Sequence, residues 1–436
     1  VIAMDFHRQD QSNFHRNASK TARHLSAACL ALLAVVMLAA SCVMAGDEDW
    51  PQFLGPGRDA TYQGRAKITA NWPEKGPAVI WQVKAGEGFS SPVIADDKLI
   101  LFHRQGDRMV LDCLSAATGK KIWTAGYETS YSDDMRKGDG PRATPAIADG
   151  RVVAFGPDGV LLCLDLATGK SLWQIDTRKL YQTPGGFFGR ACSPLIEGDL
   201  VLLNIGGPEH GIGAFDVKSG DLKWKATGDE AGYASPICAT IAGKRYAFFY
   251  TRTGLVAVEP KTGDILFQHR WRSRQHASVN AAMPVVVNDL IFLSSSYQTG
   301  ATTLKIQGNE VHTLWAADDV LSSQYANVVY RDGHLFGFDG RNDFGDTKLR
   351  CVELKTGKVK WTELDLPAGP LILAGDKIIA LLESGEAQLI EASAAGYKKL
   401  ASAKLLESPV RANAALSAGL LYLRDNEKLI CVDLKP

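Results

Sequence analysis

Ala143-Thr144-Pro145, then Val160-Leu161-Leu162-Cys163-Leu164-Asp165, then Thr168-Gly169-Lys170, then Trp173: these landmarks follow one another in a single stretch, and the stretch recurs. A strand opened by a Ser-Pro or Thr-Pro pair, a second apolar run, a Leu-Asp-x-x-Thr-Gly-Lys turn and a tryptophan just beyond it return eight times along the chain. Repeats built from strand signals alone describe a closed ring of small sheets. The sequence therefore predicts an all-β fold, an eight-bladed β-propeller of four-stranded antiparallel blades.

The copies align on their turns. Blade one carries Thr118-Gly119-Lys120 and Trp123, blade two Thr168-Gly169-Lys170 and Trp173, blade three Ser219-Gly220 and Trp224. Blade four has Thr262-Gly263 with Phe267 in the tryptophan position, blade five keeps only Trp315, and blade six has Thr356-Gly357-Lys358 and Trp361. Blade seven is degenerate, with Ala395-Gly396 and Leu400. Blade eight stops at Val432-Asp433-Leu434-Lys435, before any tryptophan strand, while Ile80-Trp81-Gln82-Val83 near the other end reads like Leu172-Trp173-Gln174-Ile175. The N-terminal strand is expected to complete the last blade and close the ring, which removes exposed edges. Short apolar runs such as Val152-Val153-Ala154-Phe155, bounded by turn residues, support the strand reading. No long segment after the N-terminus has a helical period.

The first residues address the chain. Arg16, Lys20 and Arg23 precede an apolar stretch from Leu25 to Ala40, followed by Val43-Met44-Ala45 and Gly46. That order is a secretory signal, and the stretch is short for a membrane span. Residues 1–45 are read as a signal peptide cleaved after Ala45, giving a periplasmic or secreted protein with no transmembrane segment in the mature chain. Lipidation at Cys42 is the alternative, although the leucine of a lipobox stands one position early in Leu38-Ala39-Ala40-Ser41-Cys42. Residues 46–77, with Trp50-Pro51-Gln52-Phe53 and Gly55-Pro56-Gly57-Arg58-Asp59, lack the repeat and are expected to pack as an irregular arm, leaving 78–436 to the propeller. Six cysteines remain after cleavage. Cys113, Cys163, Cys351 and Cys431 share one slot that holds Ala214 and Ala257 in other blades, which marks a small buried packing position rather than a disulfide framework. A Cys192–Cys238 bridge is not expected. The formal net charge is zero, so no general attraction to nucleic acid follows.

These residues carry a family resemblance. The Ser/Thr-Pro strand, the Leu-Asp-x-x-Thr-Gly-Lys turn and the tryptophan resemble the pyrroloquinoline-quinone-like (PQQ-like) propeller repeat from about Ala78 to the C-terminus. The arm Asp49-Trp50-Pro51-Gln52-Phe53-Leu54-Gly55-Pro56, with Gly86-Glu87-Gly88-Phe89-Ser90-Ser91-Pro92, is similar to secreted propellers of planctomycete type. The resemblance implies two functions. Quinoprotein alcohol dehydrogenases hold PQQ and calcium on the axis and typically add adjacent cysteines; this chain has no adjacent cysteine pair and no Cys-x-x-Cys-His haem motif. The propeller lipoprotein of outer-membrane assembly is a scaffold without catalysis.

Candidate ligand residues follow from aligning the inner strands on their prolines. Arg142, Tyr233 and Arg411 stand three residues before Pro145, Pro236 and the matching Ala414; Arg190 and Asn280 stand four before Pro194 and Pro284; Tyr325 and Asn327 open the sixth inner strand. Inner strands surround the axis, so these side chains are expected at one funnel, where the arginines favour an anion held by charge-assisted hydrogen bonds. The competing expectation is that each arginine caps loop carbonyls or pairs with a carboxylate such as Asp139 or Glu230. His276, in a basic loop before the fifth inner strand, joins the set as a ligand contact. Asp339, Asn342, Asp343 and Asp346 are oxygen ligands in type but lack calcium-loop spacing, and no metal site is assigned. The reading is an extracytoplasmic, monomeric binding or scaffold propeller that holds a small anionic ligand or a protein partner, without an assigned activity. The alternative is a PQQ-dependent dehydrogenase of small alcohols or sugars.

Overall fold

A computed structural model describes residues 48–436 apart from 136, 277 and 408, so the segment read as a signal peptide and Cys42 lie outside the described residues. Eight four-stranded antiparallel blades follow one another around a ring, and the sheet of blade seven gains a fifth, parallel strand, Thr61–Tyr62. Blade two is representative: its strands Ala146–Ala148, Arg151–Phe155, Val160–Asp165 and Ser171–Asp176 run in order from the axis outward. The ring closes as expected. Val79–Lys84 pairs antiparallel with Lys428–Asp433, with Trp81 opposite Cys431, and supplies the outer strand of blade eight. Among the described residues the helices are short, Thr177–Tyr181 and the 3-10 turn Asn342–Phe344.

The consensus residues hold neighbouring blades together. The indole N–H of each outer-strand tryptophan donates to a carbonyl in the outer turn of the next blade: Trp81 to Ala116, Trp123 to Leu166, Trp173 to Val217 and Trp224 to Pro260, each at 2.9 Å, and Trp315 to Leu354 and Trp361 to Ser393 at 2.8 Å. The indoles of Trp81, Trp123, Trp173, Trp224 and Trp315 also lie against the turn glycine of that next blade. A Cβ on Gly169 would stand 2.6 Å from the Trp123 ring, at a φ of +71°. Glycine is needed there for both its backbone conformation and its missing side chain.

Strand register explains the small-residue slot. Cys113, Cys163, Cys351 and Cys431 stand directly opposite Trp123, Trp173, Trp361 and Trp81, and Ala214 and Ala257 stand opposite Trp224 and Phe267. A large ring on one strand leaves room for only a small partner across from it. All six described cysteines are free thiols, and the four in the slot are buried. Every outer strand also skips one residue just before this pair, a β-bulge at Ile80, Ile122, Leu172, Lys223, Leu266, Leu314, Lys360 and Leu400. A bulge twists an exposed edge and blunts its pairing with other strands. The bulge corrects the alignment of blade seven. Leu400 is the bulged residue, and Ala401 takes the tryptophan position opposite Leu389, so large and small have exchanged strands.

The Ser/Thr-Pro pairs form a belt around the axis. The Ser91 N–H donates to Thr144 Oγ1 at 3.0 Å, Thr144 N–H to Ser193 Oγ at 2.9 Å, and Ser193 N–H to Ser235 Oγ at 2.8 Å. A short hydroxyl accepts the N–H that each inner strand would otherwise leave unpaired at its entrance. Connections between blades, and between the two middle strands of each blade, share one face of the ring. The tight hairpins and the Thr-Gly-Lys turns share the other.

Candidate ligand site at the axial mouth

All eight sequence-derived candidates lie in loops between blades, on that first face. The structure gathers some of them and uses others as scaffold. Arg142 and Arg411 approach the same ring: the guanidinium carbon of each lies 5.7 Å from the centroid of Phe89. Arg142 also stands 5.5 Å from Phe188, whose ring meets Tyr233 edge-on at 5.8 Å. Phe187, the next residue back, faces Arg252 at 5.0 Å and His276 at 6.0 Å. The mouth is thus a chain of alternating guanidinium and aromatic groups drawn from five connections. Guanidinium groups stack favourably on aromatic faces.

The charges are largely matched. Arg142 bonds Asp133 at 2.9 Å and the Phe188 carbonyl at 3.2 Å; Arg411 bonds Glu383 at 2.6 Å; Arg252 bonds Glu230 and the His276 carbonyl. Arg142 therefore takes Asp133 rather than Asp139, and Glu230 serves Arg252. Arg190 differs. It is 3% exposed, its side-chain bonds run to Thr183 Oγ1 at 2.6 Å and the Gly185 carbonyl at 3.4 Å, and its Nε has no partner. Burial pushes its pKa down to about 10, so it remains a cation at neutral pH with no carboxylate bonded to it. Tyr233 Oη accepts the N–H groups of Phe187 and Phe188 at 2.8 and 3.1 Å, which fixes the Phe-Phe loop over the mouth, and burial raises its pKa.

Tyr325 accepts from Asn342 at 3.0 Å, and burial pushes its pKa up to about 12. It lies in the loop ahead of the sixth inner strand, Val329–Arg331, not within it. Asn280 and Asn327 do structural work. Asn280 donates to the Thr251 and Trp271 carbonyls at 3.0 Å, and Asn327 exchanges bonds of 2.8 and 2.9 Å with the Leu371 main chain, continuing the axial belt. The acidic hairpin is likewise engaged. Asp339 binds Lys348, Arg350 and the Ser322 N–H, Asp343 binds Arg341, and Asp346 accepts from the Arg341 N–H.

Two clefts flank the mouth. One, of about 530 Å³, is lined by Glu128, Asp134, Asp158, Asp176, Arg178 and Phe187 among others. The second, of about 410 Å³, includes Asn342, Asp365 and Glu383. The centre is rich in arginine and the shoulders in carboxylates. Sequence reasoning missed Phe89, Phe187, Phe188 and Arg252. Phe89 was accessible to it, because it stands three residues before Pro92, the offset shared by Arg142 and Tyr233.

Among the described residues no group of three or more His, Cys, Asp or Glu side chains is placed to hold a metal ion, and every tryptophan of the repeat lies on an outer strand.

A closed eight-bladed ring with an arginine–aromatic mouth fits a binding or scaffold role. The chain belongs to the PQQ-like propeller family described as outer membrane protein assembly factor BamB, whose sequence pattern matches residues 107–363, more than half of the chain. Comparison with curated protein sequences gives no match. Similar solved structures include BamB from Moraxella catarrhalis, at 16% identity and a TM-score of 0.59, covering 82% of this chain and 97% of that one. Quinohemoprotein alcohol dehydrogenase from Comamonas testosteroni is similar at 15% identity and a TM-score of 0.62, covering 89% of this chain and 80% of that one. The computationally designed Ika8 protein is similar at 12% identity and a TM-score of 0.56, covering 81% and 98%. At these identities the likeness is one of fold.

Proposed function

We propose that the protein is an extracytoplasmic scaffold propeller whose mouth receives a segment of a protein partner, with an acidic side chain at the centre of that segment and basic ones on either side. The observation that carries this reading is the pair Arg142 and Arg411, brought from two separate loops to one Phe89 ring. Arginine with phenylalanine and tyrosine is the composition of protein-binding hot spots. The buried, carboxylate-free Arg190 supports an acidic centre, and the carboxylate-lined clefts support basic flanks through charge complementarity. The order of basic, apolar and small residues before Gly46 supports export. The description of the family, which names assembly at the outer membrane, supports a protein partner over a metabolite.

The test uses a fluorescein-labelled peptide with central aspartates between lysines and a scrambled control with central lysines. Saturable binding of the first is expected, with Arg142→Ala and Arg411→Ala each weakening it by about tenfold or more while thermal melting shows a folded ring. Equal binding of the scrambled peptide, or indifference to both substitutions, would overturn the reading. A saturable absorbance change on titration with PQQ and calcium would favour the quinone alternative.

A further inference from the structure

Residues 49–62 do not lie on the outside of the ring. Trp50 exchanges main-chain hydrogen bonds of 2.9 and 3.0 Å with Ile94 on the inner strand of blade one. The Pro51 carbonyl accepts from Ile147 on the inner strand of blade two at 2.8 Å, and Arg58 donates to the Pro194 and Ser193 carbonyls at the entrance of blade three at 2.9 and 3.1 Å. The Ala60 carbonyl accepts from Leu373 at 2.8 Å, and Thr61–Tyr62 pairs parallel with the inner strand of blade seven. Tyr62 Oη accepts from Gly419 of blade eight at 3.2 Å. Only the axial channel touches the inner edges of blades seven, one, two and three together, with the first hairpin of blade eight beside them.

The segment has the features of a bound ligand. Trp50, Leu54, Arg58 and Ala60 are buried, and Trp50 and Leu54 belong to two separate apolar cores on different sides of the ring. Arg58 is 2% exposed; its two terminal nitrogens donate to Gln52 of the arm itself and to main-chain carbonyls of the ring, while its Nε has no partner. Leu54, Arg58 and Ala60 hold left-handed φ values of 61°, 54° and 58°. Non-glycine residues avoid this conformation unless their surroundings impose it. The knob between them is closed by the Ala60 N–H on the Leu54 carbonyl at 2.9 Å. A free chain of this composition would not keep that shape.

We propose that the end of the axial channel opposite the mouth is a peptide-binding site, occupied in cis by residues 49–62, and that this occupant is a second clasp across the closure within blade eight. The channel is thereby blind, with one opening at the mouth. The site recognises an apolar Trp-Pro head, a tight knob and a buried arginine that caps carbonyls of blade three. A peptide with those features from a second copy of the chain would fit it equally.

The test labels a synthetic peptide of residues 48–63 with a fluorophore and measures anisotropy against full-length mature protein and against the Trp50→Ala/Arg58→Ala variant. The variant, its own arm weakened, should give a saturable rise; the unaltered protein, its site filled, should give none at the same concentrations. Absence of binding to a folded variant, or equal binding to both proteins, would overturn the proposal. Hydrogen exchange on the unaltered protein keeps the test decisive should the variant not fold. The amides of Ile94, Ile147, Leu373 and Gly419, all bonded to the arm, should exchange together with Ala60 and at least tenfold faster than the ladder amides of the same blades. Their exchange at the single rate of global unfolding would show an arm that never separates from the ring, and the proposal would fail.

Discussion

Replacing Trp81 with alanine tests ring closure where the chain ends meet. Trp81 is 9% exposed, packs against Tyr422 with ring centroids 5.9 Å apart, and donates its indole N–H to the Ala116 carbonyl at 2.9 Å. Truncating a buried aromatic side chain of this size costs about 3–5 kcal/mol, which includes the lost contacts and the cavity left behind. That is a large part of the roughly 5–15 kcal/mol that stabilises a typical folded domain. Trp173→Ala is the control. Trp173 has the same exposure and the same 2.9 Å bond to the next blade, but its strand is continuous with its own sheet in sequence. Both variants should lose similar free energy in urea melts. They should differ in hydrogen exchange. In Trp81→Ala the strand Val79–Lys84 can leave Lys428–Asp433 without unfolding the other blades, so those two strands should lose protection first. In Trp173→Ala the loss should spread across the ring. Identical exchange patterns in the two variants, or a Trp81→Ala penalty below about 1 kcal/mol, would refute the claim that this strand is the seam.

Three further outcomes follow from the geometry. Gly169→Ala should cost about 2–3 kcal/mol in thermal or urea melts, because its Cβ would meet the Trp123 ring at 2.6 Å, whereas Gly150→Ala, at nearly the same φ but with open space around it, should cost about 1 kcal/mol. The exchanged sizes in blade seven predict that Leu389→Ala and Ala401→Trp each destabilise the fold while the double variant recovers much of the loss, which a double-mutant cycle would measure. Asp112 is buried, which raises its pKa, but hydrogen bonds from His103, Thr124 and Lys121 outweigh burial and hold it down to about 2. A depressed carboxylate pKa contributes stability that is fully present above the ordinary value near 4 and is lost as pH falls through about 2. Asp112→Asn should therefore flatten the stability profile between those pH values, and an unchanged profile would rule out this role.

The ring itself was legible in the sequence. The Thr-Gly-Lys turns, the tryptophans and the slot shared by Cys and Ala are local patterns repeated at a steady spacing, and each reports a strand, a turn or a cross-strand pair within one blade. Closure was legible too, because the truncated end of blade eight and the Ile80-Trp81-Gln82-Val83 strand are complementary fragments of one repeat. Blade seven was misaligned by one residue because its outer turn is longer: twelve residues separate Leu389 from its partner Ala401, where ten separate Cys163 from Trp173, so the same count on from the turn glycine stops short at Leu400.

The mouth was legible only as an offset. Counting back from each inner-strand landmark located Arg142, Tyr233 and Arg411, but not their partners: Asp133 is folded back from Arg142's own loop, and Glu383 and Phe89 reach in from other loops. The same count grouped Asn280, and its place ahead of the sixth inner strand grouped Asn327, with the ligand residues, although both are bonded to main-chain groups of neighbouring segments. Spacing along the chain fixes where a side chain begins, and the tertiary structure decides what it touches. The N-terminal arm is the clearest case. Its residues carry no repeat and no periodicity, so the sequence identified it only as something other than a blade. Its place in the channel is decided by bonds such as that from Arg58 to Pro194, 136 residues apart, which exist only once the inner strands have been brought around a common axis.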